Sequence, residues 1–323
     1  PWRESTIDSR AGTAPSMRAD RPTIAVAICT KGRRPECAAC VASVLAQTRP
    51  AAQLIIVEAA TDDGLRDRIE AAWPPGVDTA LTYARVAEGG LTRQRNIAVG
   101  HLTSDIVLFV DDDAVLEPEC LEGLAGSYRD DAEHGLGGVQ PAVAESVAPP
   151  NGSRLFRRLF LLTEEDSGRR AVLRASGWPR YCSTPARPMD AEVIRGTAMS
   201  FRREVFETER FDESFPGYAL AEDCDFSYRV SRRWRLLVDP AARVRHAPSP
   251  AARSGARTFQ RMAAVHSWHL FRRYRRGTAA WIAFGWSRLG GGLLALRHAV
   301  QVRSLDPLRG LADGYRAILR GPR

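Results

Sequence analysis

The sequence has no second cysteine pair to accompany its one C-x-x-C, Cys37 and Cys40, and no thioredoxin-like setting around it. Zinc and disulfide-exchange chemistry therefore lack support, and two cysteines on one helix face are the favoured reading. Cys29, Cys120, Cys182 and Cys224 are scattered, and no signal peptide precedes them, so a reduced, cytoplasmic compartment is the expectation. No internal repeat is evident. The apolar stretch from Thr278 to Leu296 approaches spanning length, but Arg288 and several glycines interrupt it, which argues against a transmembrane helix. Lysine is almost absent, Lys31 being the only one, and this is read as compositional bias without functional weight.

What is present suffices for one large core or two smaller ones, with 323 residues of which 44% are hydrophobic. The formal net charge of +8 permits an anionic membrane or nucleic acid as partner, so its location matters. From residue 251 onward fourteen arginines face only Asp306 and Asp313, and the positive charge belongs to that tail.

Four regions are expected. Residues 1–21 are polar and aperiodic and read as a disordered leader, with Met17 as an alternative start. Residues 22–136 alternate short apolar runs with helical stretches. TIAVAICT, QLIIVEA, LTYARV and DIVLFV read as strands, and about Glu36 to Gln47, GLRDRIEAAW and GLTRQRNIAVGHL as helices. Such alternation argues for βαβ units and a parallel sheet whose ligands bind beyond the carboxyl ends of the strands. Residues 137–250 are richer in proline and glycine and read as a mixed sheet with long loops and the acceptor side of a site. Residues 251–323 form a basic helical extension. Its arginines between Arg272 and Arg276, with Trp268, Phe271, Trp281, Phe284 and Trp286, suit an anionic membrane surface; helices packed on the core are the alternative.

The strand DIVLFV runs into Asp111, Asp112 and Asp113. Three adjacent carboxylates repel one another unless something positive lies between them, and Mg²⁺ or Mn²⁺ is a natural partner that also accepts phosphate oxygens. A solvated acidic turn is the plainer reading. A second cluster, Glu222, Asp223 and Asp225 in AEDCDFSYR, stands at the start of a helix. It serves either as a source of a general base or as an acidic first turn that complements the helix dipole.

The order of motifs resembles the family 2 glycosyltransferases of the glycosyltransferase-A fold, over about Thr23 to Pro248. AICTKGRRP, IIVEAATDD, GLTRQRN, VLFVDDD, GTAMSFRREVF, FDESF and AEDCDFSYR stand where such enzymes have similar strings. The resemblance implies a Rossmann-like mixed α/β sheet flanked by helices, and an inverting transfer of sugar from a nucleotide diphosphate donor to a hydroxyl. The acceptor would be a glycan, a lipid-linked molecule or a small molecule. It further implies that Thr30, Arg33 and Glu58 lie around the nucleotide, that Arg93 and Asn96 lie near the donor, and that Asp111 and Asp112 contact it. Asp111, Asp113 and His246 would hold the metal, and Asp223, with Glu222 beside it, would act as base. The plainer alternatives are a structural histidine for His246 and a solvated helix face for Arg93 and Arg95. Glu58, Ala59 and Ala60 replace the family's common Asp, Asp or Asn, and Gly, so the base is not read from the sequence. Two rivals are a metal-dependent phosphoryl-transfer enzyme and a non-catalytic basic protein binding nucleic acid or glycan. The first leaves the later acidic motif and His246 without a role; nucleic-acid binding leaves both acidic clusters unexplained.

Overall fold

The computed structural model describes residues 7–10, 21–145, 151–215, 219–247 and 255–320. Along the first half run strands β1 (Ile7–Arg10), β2 (Ile24–Thr30), β3 (Gln53–Ala59), β4 (Ala80–Val86), β5 (Ile106–Asp111) and β6 (Ala114–Leu116), with helices α1 (Arg34–Leu45), α2 (Gly64–Ala71), α3 (Leu91–Gly100) and α4 (Cys120–Arg129). There follow β7 (Leu136–Glu145), α5 (Asn151–Leu159), β8 (Glu164–Glu165), β9 (Val172–Leu173), β10 (Pro179–Tyr181), β11 (Met189–Ala191) and β12 (Ala198–Arg202). A 3₁₀ turn at Arg203–Glu207, α6 (Glu222–Val230), β13 (Arg235–His246), α7 (Ala256–Tyr274), α8 (Thr278–Gln301) and α9 (Asp306–Arg320) complete the described chain.

One ten-stranded sheet dominates, in the order β1-β4-β3-β2-β5-β12-β7-β13-β11, with β6 pairing to β13. The strands from β2 to β5 are parallel, as contiguous apolar runs joined by helices require. Alternate side chains go to opposite faces. Ile24, Val26 and Ile28 pack with α1 residues such as Val41 and Val44, whereas Ala25, Ala27 and Phe109 pack with Phe201, Phe211 and Phe226. Cys37 and Cys40 are buried in the first of these layers, and burial pushes both thiols up, so the C-x-x-C serves packing.

The two halves expected from the sequence share this sheet. β12 runs antiparallel between β5 and β7, so residues from the second half complete the first half's edge. The expected disordered leader is corrected at Ile7–Arg10, which pairs antiparallel with β4. The outer edge of β4 offers free backbone groups, and pairing with them needs no apolar pattern. The rest of that leader, apart from Arg21, lies outside the described residues.

The tail forms three helices that pack against the sheet domain. Gly277, at φ +85°, makes the turn between α7 and α8. At Gly310 a Cβ would come within 2.1 Å of the Arg257 carbonyl oxygen, so α7 and α9 touch backbone to backbone. Much of the aromatic and arginine cluster expected at a membrane is engaged internally. Trp268, Phe271, Trp281 and Phe284 pack on one another. Arg273 bridges Asp212 and Asp225 at 2.7 and 3.2 Å, and Tyr274 donates to Asp225 at 2.6 Å. Among the described residues no helix is long and apolar enough to cross a membrane.

Candidate active site at the sheet end

Beyond the carboxyl ends of β2 and β5 lies a cleft of about 880 Å³. Asp111 closes β5, paired in register with Cys29 of β2, and Asp112 and Asp113 follow in the turn to β6. β6 pairs with the end of β13, which sets His246 opposite Ala114 and brings its Nε2 within 3.2 Å of an Asp113 oxygen. Asp111, Asp113 and His246 each offer a ligand atom, all within 4.8 Å of one another. Two carboxylates and an imidazole at this spacing are a fitting donor set for Mg²⁺ or Mn²⁺.

The repulsion among the aspartates is also relieved by protein cations. Arg33 donates to Asp112 at 2.8 Å and to Asp113 at 2.7 Å, and the Thr30 hydroxyl donates to Asp112 at 2.6 Å. Burial nevertheless lifts the Asp112 carboxyl to about 6 and raises that of Asp111.

Glu222 and Asp223 open α6 and also line this cleft. Asp223 is held from several sides. Its Oδ2 accepts the Tyr181 hydroxyl at 3.0 Å and the Gly196 amide at 2.8 Å, while Oδ1 accepts the Cys224 amide at 2.8 Å. Burial, reinforced by Asp223, keeps Tyr181 protonated and hence a donor. Gly196 is where backbone must come close, since a Cβ there would lie 3.1 Å from that of Asp223 and 3.2 Å from Glu222 Oε1. Asp225, third acid of the motif, pairs with Arg229 one turn along α6 and ties that helix to α7 through Arg273 and Tyr274.

Thr30, Arg33, Asp111, Asp112, Asp113, Glu222, Asp223 and His246 are thus brought together around one cleft. Glu58, Arg93 and Asn96 are placed elsewhere. Glu58 is buried at the end of β3, accepts the Tyr83 hydroxyl at 2.5 Å and lies 3.8 Å from Arg34. Arg93 is exposed on α3. Asn96 pins the FDESF loop, exchanging two 3.0 Å hydrogen bonds with the Phe211 backbone.

The α3 residue that does reach the cleft is Arg95, only 2% exposed. It donates to Glu222 in a close charge-assisted contact, donates to the Gly196 carbonyl at 3.2 Å and lies 3.6 Å from Asp111. Glu222 and Asp111 outweigh the cost of burying its charge, so it stays cationic, and its charge opposes the burial that raises the Glu222 carboxyl. Arg93 and Arg95 share one motif, and only the packing of α3 decides which faces inward. Gln94, in the same motif, donates to the carbonyls of Thr30 and Val57, whereas the wall residues Thr163, Trp178, Tyr181 and Arg195 lie outside every motif.

Solved structures of glycosyltransferase-A fold enzymes share this architecture. GalNAc-T7, crystallised with UDP, GalNAc and Mn²⁺, matches with a TM-score of 0.54 at 16% identity over 76% of this chain; the match spans 48%, about half, of its own length. The mannosyltransferase PcManGT from Pyrobaculum calidifontis, in complex with GDP-Man and Mn²⁺, matches with a TM-score of 0.53 at 17% identity over 96% of this chain and 84% of its own. No curated protein sequence matches. The family model described as "Glycosyltransferase like family 2" matches residues 22–267, which hold every residue of the cleft, and the chain belongs to that family.

Proposed function

We propose that the cleft transfers a sugar from a nucleotide diphosphate donor to an acceptor hydroxyl with inversion at the anomeric carbon. The observation that carries this reading is the placement of Asp223 in the same cleft as Asp111, Asp113 and His246. Asp223 accepts the hydroxyl proton as the acceptor oxygen forms its bond to the anomeric carbon, and the bond from that carbon to the diphosphate oxygen breaks. Tyr181 and the Gly196 amide orient the carboxylate for this step. Arg95 fixes Glu222 and faces Asp111, so the base and the aspartate run keep one relative position.

Asp111, Asp113 and His246 would hold Mg²⁺ or Mn²⁺, which when bound supplies positive charge to the leaving diphosphate. Asp111 and Asp112 would contact the donor. Thr30 and Arg33 flank them and would contact the nucleotide. UDP and GDP-Man in the two solved relatives make both bases sensible first tests. Thr163, Trp178 and Arg195 also line the cleft, and their aromatic face and cation suit a glycan, lipid-linked or small-molecule acceptor. Six free cysteines support a reducing, cytoplasmic setting. The basic tail supports a peripheral contact with an anionic membrane surface.

The test is Asp223→Asn. This variant should keep the Mn²⁺-dependent thermal shift given by the matching nucleotide diphosphate in a panel, yet lose transfer by about a hundredfold or more. Full turnover by the variant refutes the assignment.

A further inference from the structure

The membrane contact expected from the sequence drew on the arginines between Arg272 and Arg276 together with Trp268, Phe271, Trp281, Phe284 and Trp286, and apart from Trp286 much of that cluster is spent on packing. A different surface is left over. α8 buries Phe284, Ser287, Gly290 and Ala295, and turns Ile282, Trp286, Leu289 and Leu293 outward, these four being 42 to 69% exposed. The spacing is that of one helical stripe. α5 continues the stripe, with Leu155 at 73% and Leu159 at 60% exposure. The two helices are joined rather than merely adjacent. Trp286 Nε1 donates to the Leu159 carbonyl at 2.8 Å, the Trp286 and Phe160 rings stack at 4.8 Å, and Gly290 gives room for Phe160, which would meet a Cβ at 2.3 Å.

We propose that this α5–α8 face seats in the interface of an anionic lipid bilayer. The proposal rests on the peripheral placement suggested above and is independent of the chemistry of transfer. Three observations select this occupant. Exposed Arg154 and Arg158 flank the α5 leucines, and no acidic residue occurs from Pro240 to Leu305 or within α5. A basic rim around an apolar stripe complements anionic headgroups over acyl chains, whereas a second copy of the same face would bring arginines against arginines. Neither helix can cross a bilayer, so the contact lies in its plane. The face also borders the acceptor end of the cleft. Arg288 of α8 lies over the ring of Trp178, and Arg157 of α5 donates to the Thr163 carbonyl at 3.4 Å; Trp178 and Thr163 both line the cleft. A hydroxyl-bearing headgroup at the bilayer surface would therefore lie beside the cleft's acceptor wall.

Flotation of the whole chain with vesicles tests this, using phosphatidylcholine alone or with about three-tenths phosphatidylglycerol. The wild type should float with the anionic vesicles, less so in high salt, and not with the neutral ones. The variant pair Ile282→Glu with Leu289→Glu, and separately Arg154→Glu with Arg158→Glu, should each weaken flotation by about tenfold or more. Both pairs should retain the wild-type thermal transition and its nucleotide–Mn²⁺ shift. Vesicle binding and nucleotide binding are read separately, so failure of one leaves the other standing. The proposal is overturned by a wild type that stays with the protein-only fraction, or by flotation of the Ile282/Leu289 variant at the wild-type level. A wild type that is dimeric and lipid-indifferent while the same variant is monomeric also overturns it.

Discussion

Arg95 and Glu222 form a buried ion pair in which the guanidinium also faces Asp111, so one side chain from α3 connects the end of β5 to the start of α6. Guanidinium geometry suits this double duty, because its fork presents several donors in a fixed plane. Arg95→Met should leave Glu222 buried without its partner and cost about 3 kcal/mol of stability or more. Adding Glu222→Gln should recover part of that loss. Denaturant unfolding of the two single variants and the double variant gives the coupling; additive losses would deny the pair its bridging role.

Tyr181→Phe removes one hydrogen bond to Asp223 and leaves the Gly196 and Cys224 amides in place. Its transfer rate should fall about tenfold, with donor affinity unchanged, in contrast to the larger loss expected for Asp223→Asn. A change confined to donor affinity would place Tyr181 on the wrong step.

Asp113→Asn and His246→Ala each take away one of three clustered ligand atoms. Titration of Mn²⁺ in the presence of the matching nucleotide diphosphate should show affinity weakened by about tenfold to a hundredfold in either variant. Equal metal affinity in wild type and both variants would remove the cluster from consideration.

His266 gives the fold a pH dependence. Its Nδ1 lies 2.7 Å from the Leu220 carbonyl in the loop before α6, and burial lowers its pKa below 6.5, with His269 and Arg261 adding to the lowering. The unfolded chain binds the proton more readily, so this site's contribution to stability is present at neutral pH. It declines as pH falls below about 6.5 toward the folded value. Midpoints recorded between about pH 5 and 8 should drop on the acid side, and His266→Gln should flatten that drop.

Gly310→Ala should separate α7 from α9, because the added carbon would meet the Arg257 carbonyl within 2.1 Å. A loss of about 1–3 kcal/mol is expected from overpacking. Calorimetry measures it, and a neutral substitution would show that the tail yields at little cost.

The four parallel strands and α1 to α3 were legible because β2, β3 and β5 each centre on an apolar, β-branched run, with β4 the weaker of the set, and each helix is bounded by proline, glycine or an aspartate-rich turn. The metal-side aspartates, Glu222, Asp223 and His246 were legible as a motif order before any geometry placed them in one cleft. The helix face of α3 was not. A position two residues along a helix turns by about half a revolution, so Arg93 and Arg95 exchange roles on packing alone. The family resemblance implied a nucleotide contact for Glu58, whose buried carboxylate accepts the hydroxyl of Tyr83 from the next strand. β12, Tyr181 and Gly196 meet the site only through long-range pairing, which short patterns do not encode. The tail left two readings open because aromatic and arginine residues look the same whether they face lipid or pack on Asp225 and on each other.

The place of β12 between β5 and β7 has a bearing on biosynthesis. During translation, the aspartate run emerges some ninety residues before Arg202, the last residue of the strand that must slot in beside it. Until then β5 ends in an open edge, and the future cleft has neither its Gly196 contact nor α6 behind it. A partly made chain therefore carries Asp111, Asp112 and Asp113 well before Asp223 and His246, the residues that face them in the finished cleft, have been added.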